Sequence, residues 1–205
     1  MMYLKSKNYD NLNKNGFTLV EVLVSLSLLL VVLVGPLTFL ASSSQSAQIA
    51  NEQIIATFLA QEGAEIVHKV RDDELMAWFR RGFTGTPWQN MKNTLAPCFT
   101  NNGCGLELDA GEGVQTASIH SCGGGNDCRL YLYEGDSYDS RSRYSYSDGG
   151  NFTATPYTRV IYLNEVGGPD REIEIISEVR WRSGSLIEEQ VVEVETSIFN
   201  AYDTN

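Results

Sequence analysis

Lys14-Asn15-Gly16-Phe17-Thr18-Leu19-Val20-Glu21-Val22-Leu23-Val24 opens a run that stays almost wholly apolar to Ala41. No charged residue occurs from Val22 to Asn51, and Glu21 is the only charge between Lys14 and Glu52. Twenty helical residues at about 1.5 Å each reach roughly 30 Å, the thickness of a bilayer's hydrocarbon core. The run therefore predicts a membrane-length helix. Pro36, after Gly35, interrupts it where lipid or neighbouring helices tolerate a kink, and Ser42 to Gln48 form a polar collar at its exit. Glu21 is the anomaly. A carboxylate just inside a membrane is costly, so it is paired, neutralised or turned to protein, unless it marks the boundary and is hydrated there.

Working outward, the charge pattern orients this helix. Residues 1–16 hold Lys5, Lys7 and Lys14 against Asp10 alone, whereas the remainder is strongly acidic. By the positive-inside rule the N-terminus stays in the cytoplasm and the C-terminal part is exported. The whole chain of 205 residues carries 15 Lys and Arg against 26 Asp and Glu, a formal charge of −11 that repels phosphate backbones and anionic headgroups alike. Nucleic acid is thereby excluded as the principal partner. With 42% hydrophobic residues, a packed core is attainable. An ordinary signal peptide cut near Ala41-Ser42-Ser43-Ser44 is disfavoured, because its apolar region would exceed the usual ~7–15 residues. A lipoprotein is excluded because no Cys precedes Cys98.

The segment Gly16-Phe17-Thr18-Leu19-Val20-Glu21-Val22, preceded by Lys14 and Asn15, resembles the class III signal of type IV pilins and type II secretion pseudopilins. The resemblance implies that a prepilin peptidase cuts between Gly16 and Phe17 and methylates the new amine of Phe17. It makes Glu21 the fifth residue of the mature chain, meeting the N-terminal amine of an adjacent subunit during filament assembly. Cutting there removes the lysine-bearing leader and keeps the apolar helix. The leader is somewhat long for the commonest pilins of this type, and Met1-Met2 leaves two candidate starts. The implied partners are the prepilin peptidase, other pilin or pseudopilin subunits, an inner-membrane assembly platform and the lipid bilayer. The resemblance also gives the organisation: leader 1–16, membrane and assembly half of the helix 17–41, amphipathic half 42–80, and exported domain 81–205.

Helical periodicity returns beyond the collar. Ile49, Ile55, Leu59, Ile66, Val67 and Val70 share a stripe about 120° wide at about 100° per residue. Ala56 and Gly63 lie inside it, so another element can approach closely; Glu52 is the exception. Glu65 and Lys69 make an i,i+4 pair off the stripe. Ile54 and Phe58 fall outside it, either covered by loops or free to touch a neighbouring subunit. One helix from Phe17 to about Phe79 is the economical reading. Ala60-Gln61-Glu62-Gly63-Ala64-Glu65-Ile66-Val67 and Arg71-Asp72-Asp73 also look like pilin-like proteins with this helix layout.

After Arg80-Arg81-Gly82, Gly, Pro, Thr and Asn punctuate short segments. Strands are predicted at 106–109, 129–133, 143–147, 157–164, 172–182 and 186–199, with Ser183-Gly184 as a hairpin turn and Gly167-Gly168-Pro169-Asp170 as the turn before it. An antiparallel sheet with one face to cover, and a helical stripe to cover it, define an α+β fold: a long N-terminal helix on an antiparallel sheet, pilin-like in arrangement.

Cys98, Cys104, Cys122 and Cys128 all fall in the exported part, where disulfides form. Near-neighbour pairing would clamp two loops, and the other two connectivities are equally allowed by sequence. His120 close by raises a zinc site, but the close ligand spacing of structural zinc is missing. Asp136 and Asp139 with Glu134, and Asp109 with Glu112, are calcium candidates without EF-hand spacing; solvated acidic turns are the simpler reading. Arg129, Arg141 and Arg143 interleave with Tyr131, Tyr133, Tyr138, Tyr144 and Tyr146, superficially a stacking platform for single strands or sugars, although period-two tyrosines are ordinary in exposed strands.

No nucleophile elbow or paired catalytic motif appears: His68 lies on the helix's polar side and His120 stands alone in a loop region. The sequence therefore predicts no enzyme and no cofactor. Two classes of function remain. One is a structural filament subunit, a minor pilin or pseudopilin. The other is a single-pass anchored extracytoplasmic binding or adhesion module that does not polymerise.

Overall fold

The computed structural model describes residues 16–109, 116–123, 127–134, 143–168, 170–184 and 188–201. The lysine-bearing segment before Gly16 lies outside them. The chain divides into two compact units, residues 1–48 and 49–205. The first is the apolar part of helix α1 (Leu19–Arg80), with Pro36 inside it.

The second unit begins with the amphipathic part of α1. Its buried residues are Ala56, Leu59, Ala60, Gly63, Ala64, Ile66, Val67 and Val70. The expected stripe is present but weighted toward small residues, and Ile55 is left at its exposed margin. Lys69 pairs with Asp73 at 2.6 Å, one turn on, rather than with the expected Glu65. The helix stops at Gly82, which takes φ +69°. Gly82 N–H donates to Phe79 O at 3.1 Å and Phe83 N–H to Trp78 O at 3.1 Å, while the Trp78 and Phe83 rings meet edge-on at 4.8 Å. This is a Schellman stop with its apolar contact, and glycine is favoured there because the left-handed conformation costs it nothing.

A short helix α2 (Pro87–Thr94) and a 3-10 turn (Ala96–Phe99) follow, in a region the sequence reads as irregular. Pro87 opens α2, where its missing N–H is no loss. Trp88, Met91 and Leu95 are buried from one face.

The remaining strands form one seven-stranded antiparallel sheet: β1 (Cys104–Leu108), β2 (Ala117–Ser121), β3 (Arg129–Tyr133), β4 (Arg143–Ser145), β5 (Phe152–Val166), β6 (Glu172–Trp181) and β7 (Gln190–Phe199). β5 is the hub, pairing with β1, β3 and β6, and β7 lies beyond β6. The α+β expectation holds. β2 was not foreseen, and β5 starts earlier than predicted, running through Pro156. That proline coincides with a register shift against β3 between Arg129 and Tyr131. A residue without an N–H is tolerated in a strand at such an irregularity. The β6–β7 connection is also longer than two residues, since Trp181 pairs with Gln190; its residues 185–187, like Pro169 in the preceding turn, lie outside the described set.

The α1 stripe covers one face of the sheet. Tyr157, Ile161 and Leu163 of β5 and Ile173, Ile175, Val179 and Trp181 of β6 are buried with Leu106, Leu130 and Ile198. A side chain at Gly63 would run into Ser177 Oγ and come within 3.2 Å of Ile161 Cδ1. The close approach read from Gly63 is thus realised.

Candidate functional site

In the first unit, Gly16, Phe17 and Thr18 precede the helix. Thr18 Oγ1 accepts the Glu21 N–H at 3.2 Å, and Thr18 O accepts the Val22 N–H at 3.2 Å. Thr18 is therefore the N-cap, and Glu21 occupies the acidic position of a capping box three residues later. A carboxylate in the first turn also opposes the positive end of the helix dipole. The Thr-x-x-Glu spacing is the sequence signature of this helix start.

The apolar part of α1 is long and hydrophobic enough to cross a membrane, and none of that stretch is buried. Its hydroxyls are returned to the backbone: Ser27 donates to Leu23 O at 2.8 Å, Thr38 to Gly35 O at 2.8 Å and Ser42 to Phe39 O at 2.9 Å. Such a helix presents lipid or other helices with methyl groups and few unsatisfied donors. Phe17 itself is 82% exposed.

The second unit contains a site that the sequence did not announce. Arg159 lies on the helix-facing side of β5 and is 1% exposed. Its Nη1 donates to Glu62 Oε2 at 2.7 Å and to Leu59 O at 3.1 Å, its Nη2 to Leu106 O at 2.7 Å, and its Nε to the Tyr146 hydroxyl at 2.9 Å. Burial alone would lower its pKa, but Tyr146 and Glu62 together hold it above the ordinary arginine value. Burial likewise pushes the Tyr146 phenol up, against the opposing pull of Arg159. Tyr146 continues the chain of contacts: its N–H donates to Glu107 Oε2 at 3.0 Å, and Glu107 Oε1 lies 2.9 Å from His120 Nε2. One buried guanidinium thus ties α1, β1, β5 and the end of β4 together. These donors and acceptors are occupied by one another, so the arrangement fixes positions and offers no nucleophile beside a base.

Several expectations are corrected. His120 is not alone in a loop: it sits in β2, paired with Glu107 and 5.1 Å from the Tyr146 ring. His68 is half-buried, lining a groove between α1 and β7. Ile54 and Phe58 are 54% and 67% exposed. Tyr131, Tyr133, Tyr144 and Tyr146 are half-buried, and the last three are engaged: Tyr144 meets Tyr157 edge-on at 6.4 Å, Arg143 stands 4.9 Å above the Tyr133 ring, and the Tyr146 hydroxyl accepts from Arg159 Nε. Tyr138 and Arg141 lie outside the described residues, as do Asp136, Asp139 and Glu112 of the calcium candidates. Asp109 accepts hydrogen bonds from Ser118 and Thr116, which draw its pKa below the usual carboxylate value.

The cysteines are paired with their near neighbours, Cys98 with Cys104 and Cys122 with Cys128. The first bridge joins the 3-10 turn to β1 and the second links Cys122, just beyond β2, to Cys128, just ahead of β3, so no thiolate is left for a metal.

Residues 11–35 match the model described as the prokaryotic N-terminal methylation motif, the prepilin-type signal of type IV pilins and pseudopilins. The matched segment contains Gly16, Phe17, Thr18 and Glu21. The motif supports a type IV pilin-like or pseudopilin precursor, implies processing by a prepilin peptidase and assembly with other pilins, and fits membrane anchoring through the apolar helix. Comparison with curated proteins and with solved structures returns no match.

Proposed function

We propose that this chain is a minor pilin or pseudopilin: a structural subunit, and not an enzyme, of a type IV pilus-like or type II secretion filament. A prepilin peptidase removes residues 1–16 on the cytoplasmic side, cutting Gly16–Phe17, and N-methylates Phe17. The apolar helix over 17–41 then holds the subunit in the inner membrane with its sheet domain outside. An assembly platform moves it into a filament alongside other subunits. Glu21 pairs there with the terminal amine of a neighbour, each charge finding its opposite in an apolar setting.

The observation that carries this reading is the methylation motif over residues 11–35, placed at the head of a helix with membrane length. Mass spectrometry of the mature N-terminus tests it. The expected species begins at N-methylated Phe17. An intact leader, or a cut near Ala41, overturns the proposal in favour of a non-polymerising anchored module.

A further inference from the structure

Among the described residues β7 pairs with β6 alone, in ten consecutive register pairs from Trp181↔Gln190 to Glu172↔Phe199. A strand of this length leaves a row of backbone N–H and C=O groups along its outer edge. Edge strands are ordinarily protected by charged side chains, lysine above all, or by prolines, bulges or shortness. The charges on β7 are Glu193 and Glu195, which repel acidic edges and leave basic ones unopposed. Gln190–Phe199 contains no Lys, Arg or Pro, and its register shows no bulge. Its inward residues Val192, Val194 and Thr196 are only half-buried. Alongside them runs an open groove of about 580 Å³ lined on the α1 side by Phe58, Gln61, Glu62, Glu65 and His68. Phe58 is 67% exposed. The edge is therefore flanked by a mixed groove, in which the Phe58 ring and Val194 lie beside the Glu62 and Glu65 carboxylates.

The charges select the occupant. On the opposite face of the sheet Glu193 and Glu195 are exposed, Glu193 lies directly across from Glu178, and Arg180 is engaged with Glu178 at 2.6 Å. A second copy adding antiparallel through its own β7 in the register centred on Val194, which keeps the Val192, Val194 and Thr196 faces of both copies on one side, would set Glu193 against Glu195, and like charges across a ladder are destabilising. An added strand with lysine or arginine in that row would be attracted instead. We propose that the free edge of β7 docks an extended segment of a different protein, with basic residues at alternate positions, as an eighth strand of the sheet. The backbone pairing supplies affinity and the basic row supplies selectivity. The inference goes beyond the filament role and does not depend on how the N-terminus is processed.

The full chain in detergent micelles, mixed with a peptide of alternating lysine and valine, tests the proposal by amide hydrogen exchange and fluorescence anisotropy. The peptide is expected to slow exchange of the β7 amides. A glutamate–valine peptide and a lysine–valine peptide interrupted by proline are expected not to. The double variant Glu193→Lys with Glu195→Lys should weaken lysine–valine binding about tenfold and admit the glutamate–valine peptide. Binding of the proline-interrupted peptide as tight as the parent's would reduce the effect to charge alone and overturn strand addition. Unchanged β7 exchange under saturating peptide, or β7 protection that appears when the chain is merely concentrated, would also overturn it, the latter by assigning the edge to self-association.

Discussion

Arg159 decides more at the residue scale than any other side chain in the sheet domain, because burial removes it from water and four acceptors replace that water. Its partners are unequal. The Leu106 carbonyl and the Tyr146 hydroxyl need its donors, whereas the Leu59 carbonyl already accepts the Gly63 N–H within α1, and the Glu62 side chain is 51% exposed and can be hydrated without it. Arg159→Ala is therefore expected to cost about 3–5 kcal/mol, leaving buried acceptors unpaired. Glu62→Gln should cost about 1 kcal/mol or less. Thermal denaturation of the two variants checks the asymmetry; equal losses would refute it. Gly63 gives a second case. Gly63→Ala drives a methyl into Ser177 Oγ, a buried hydroxyl without a hydrogen-bond partner among the described residues. The expected cost is about 1–3 kcal/mol. Ser177→Ala removes both the obstacle and an unsatisfied group, so the double variant should recover most of the loss in a mutant cycle. Gly63 was legible in the sequence because it sat on an apolar stripe. Arg159 was not, because an arginine in an alternating strand looks the same whether it faces solvent or a helix backbone.

The elements show where periodicity suffices and where it fails. α1, β6 and the C-terminal end of β7 carry long regular patterns, and their positions follow from sequence nearly to the residue, whereas β7 begins at Gln190 rather than at 186 because its connection to β6 is longer than a two-residue turn. α2 and β2 are short and depend on tertiary contacts: α2 on burying Trp88 and Met91, β2 on pairing with β1 from Cys104↔Ser121 to Leu108↔Ala117. Near-neighbour disulfide pairing could not be chosen from spacing, since it depends on the 3-10 turn that brings Cys98 beside β1. A closed loop of this size is worth about 2 kcal/mol of unfolded-state entropy, so Cys98→Ala with Cys104→Ala should lower stability by about that much. Chemical denaturation midpoints measure it. α2 is tied down differently. Lys92 pairs with Asp170 at 2.8 Å and also with Glu165, and hydrogen bonding to Asp170 and then Glu165 raises its pKa above 10.5. A raised folded-state pKa contributes stability that is complete below the unfolded value and lost as pH climbs through the folded one. Lys92→Met should therefore lower the melting temperature at neutral pH, with the difference from wild type fading at strongly alkaline pH. Tyr157, pushed up to about 12 by burial first and then by Tyr144 and Glu52, adds a loss of stability in the same alkaline range.

Taken as a whole, the molecule joins an amphipathic helix and sheet, whose stability has local causes, to an apolar segment whose side chains bury nothing within the chain. Surface of that kind is stable only against lipid or other helices, and Glu21 is the one charge placed in it. Two accounts of Glu21 compete. As a capping-box residue it would serve its own helix; as a counter-ion it would serve a neighbouring subunit. Glu21→Gln separates them, because glutamine preserves the capping-box pattern while removing the charge. Glu21→Ala removes both. If the carboxylate answers a terminal ammonium, both variants are cut at Gly16–Phe17 and remain anchored, yet both are depleted from sheared filaments. Losing one member of a buried ion pair costs about 3–5 kcal/mol, enough to reduce incorporation by two orders of magnitude or more. If capping is the whole role, Gln incorporates like wild type and only Ala falls, by the smaller factor that about 1 kcal/mol of helix-end stability allows. Quantifying each variant in the membrane and filament fractions of the same cells distinguishes the two, because the membrane fraction reports anchoring and the filament fraction reports contact with another subunit.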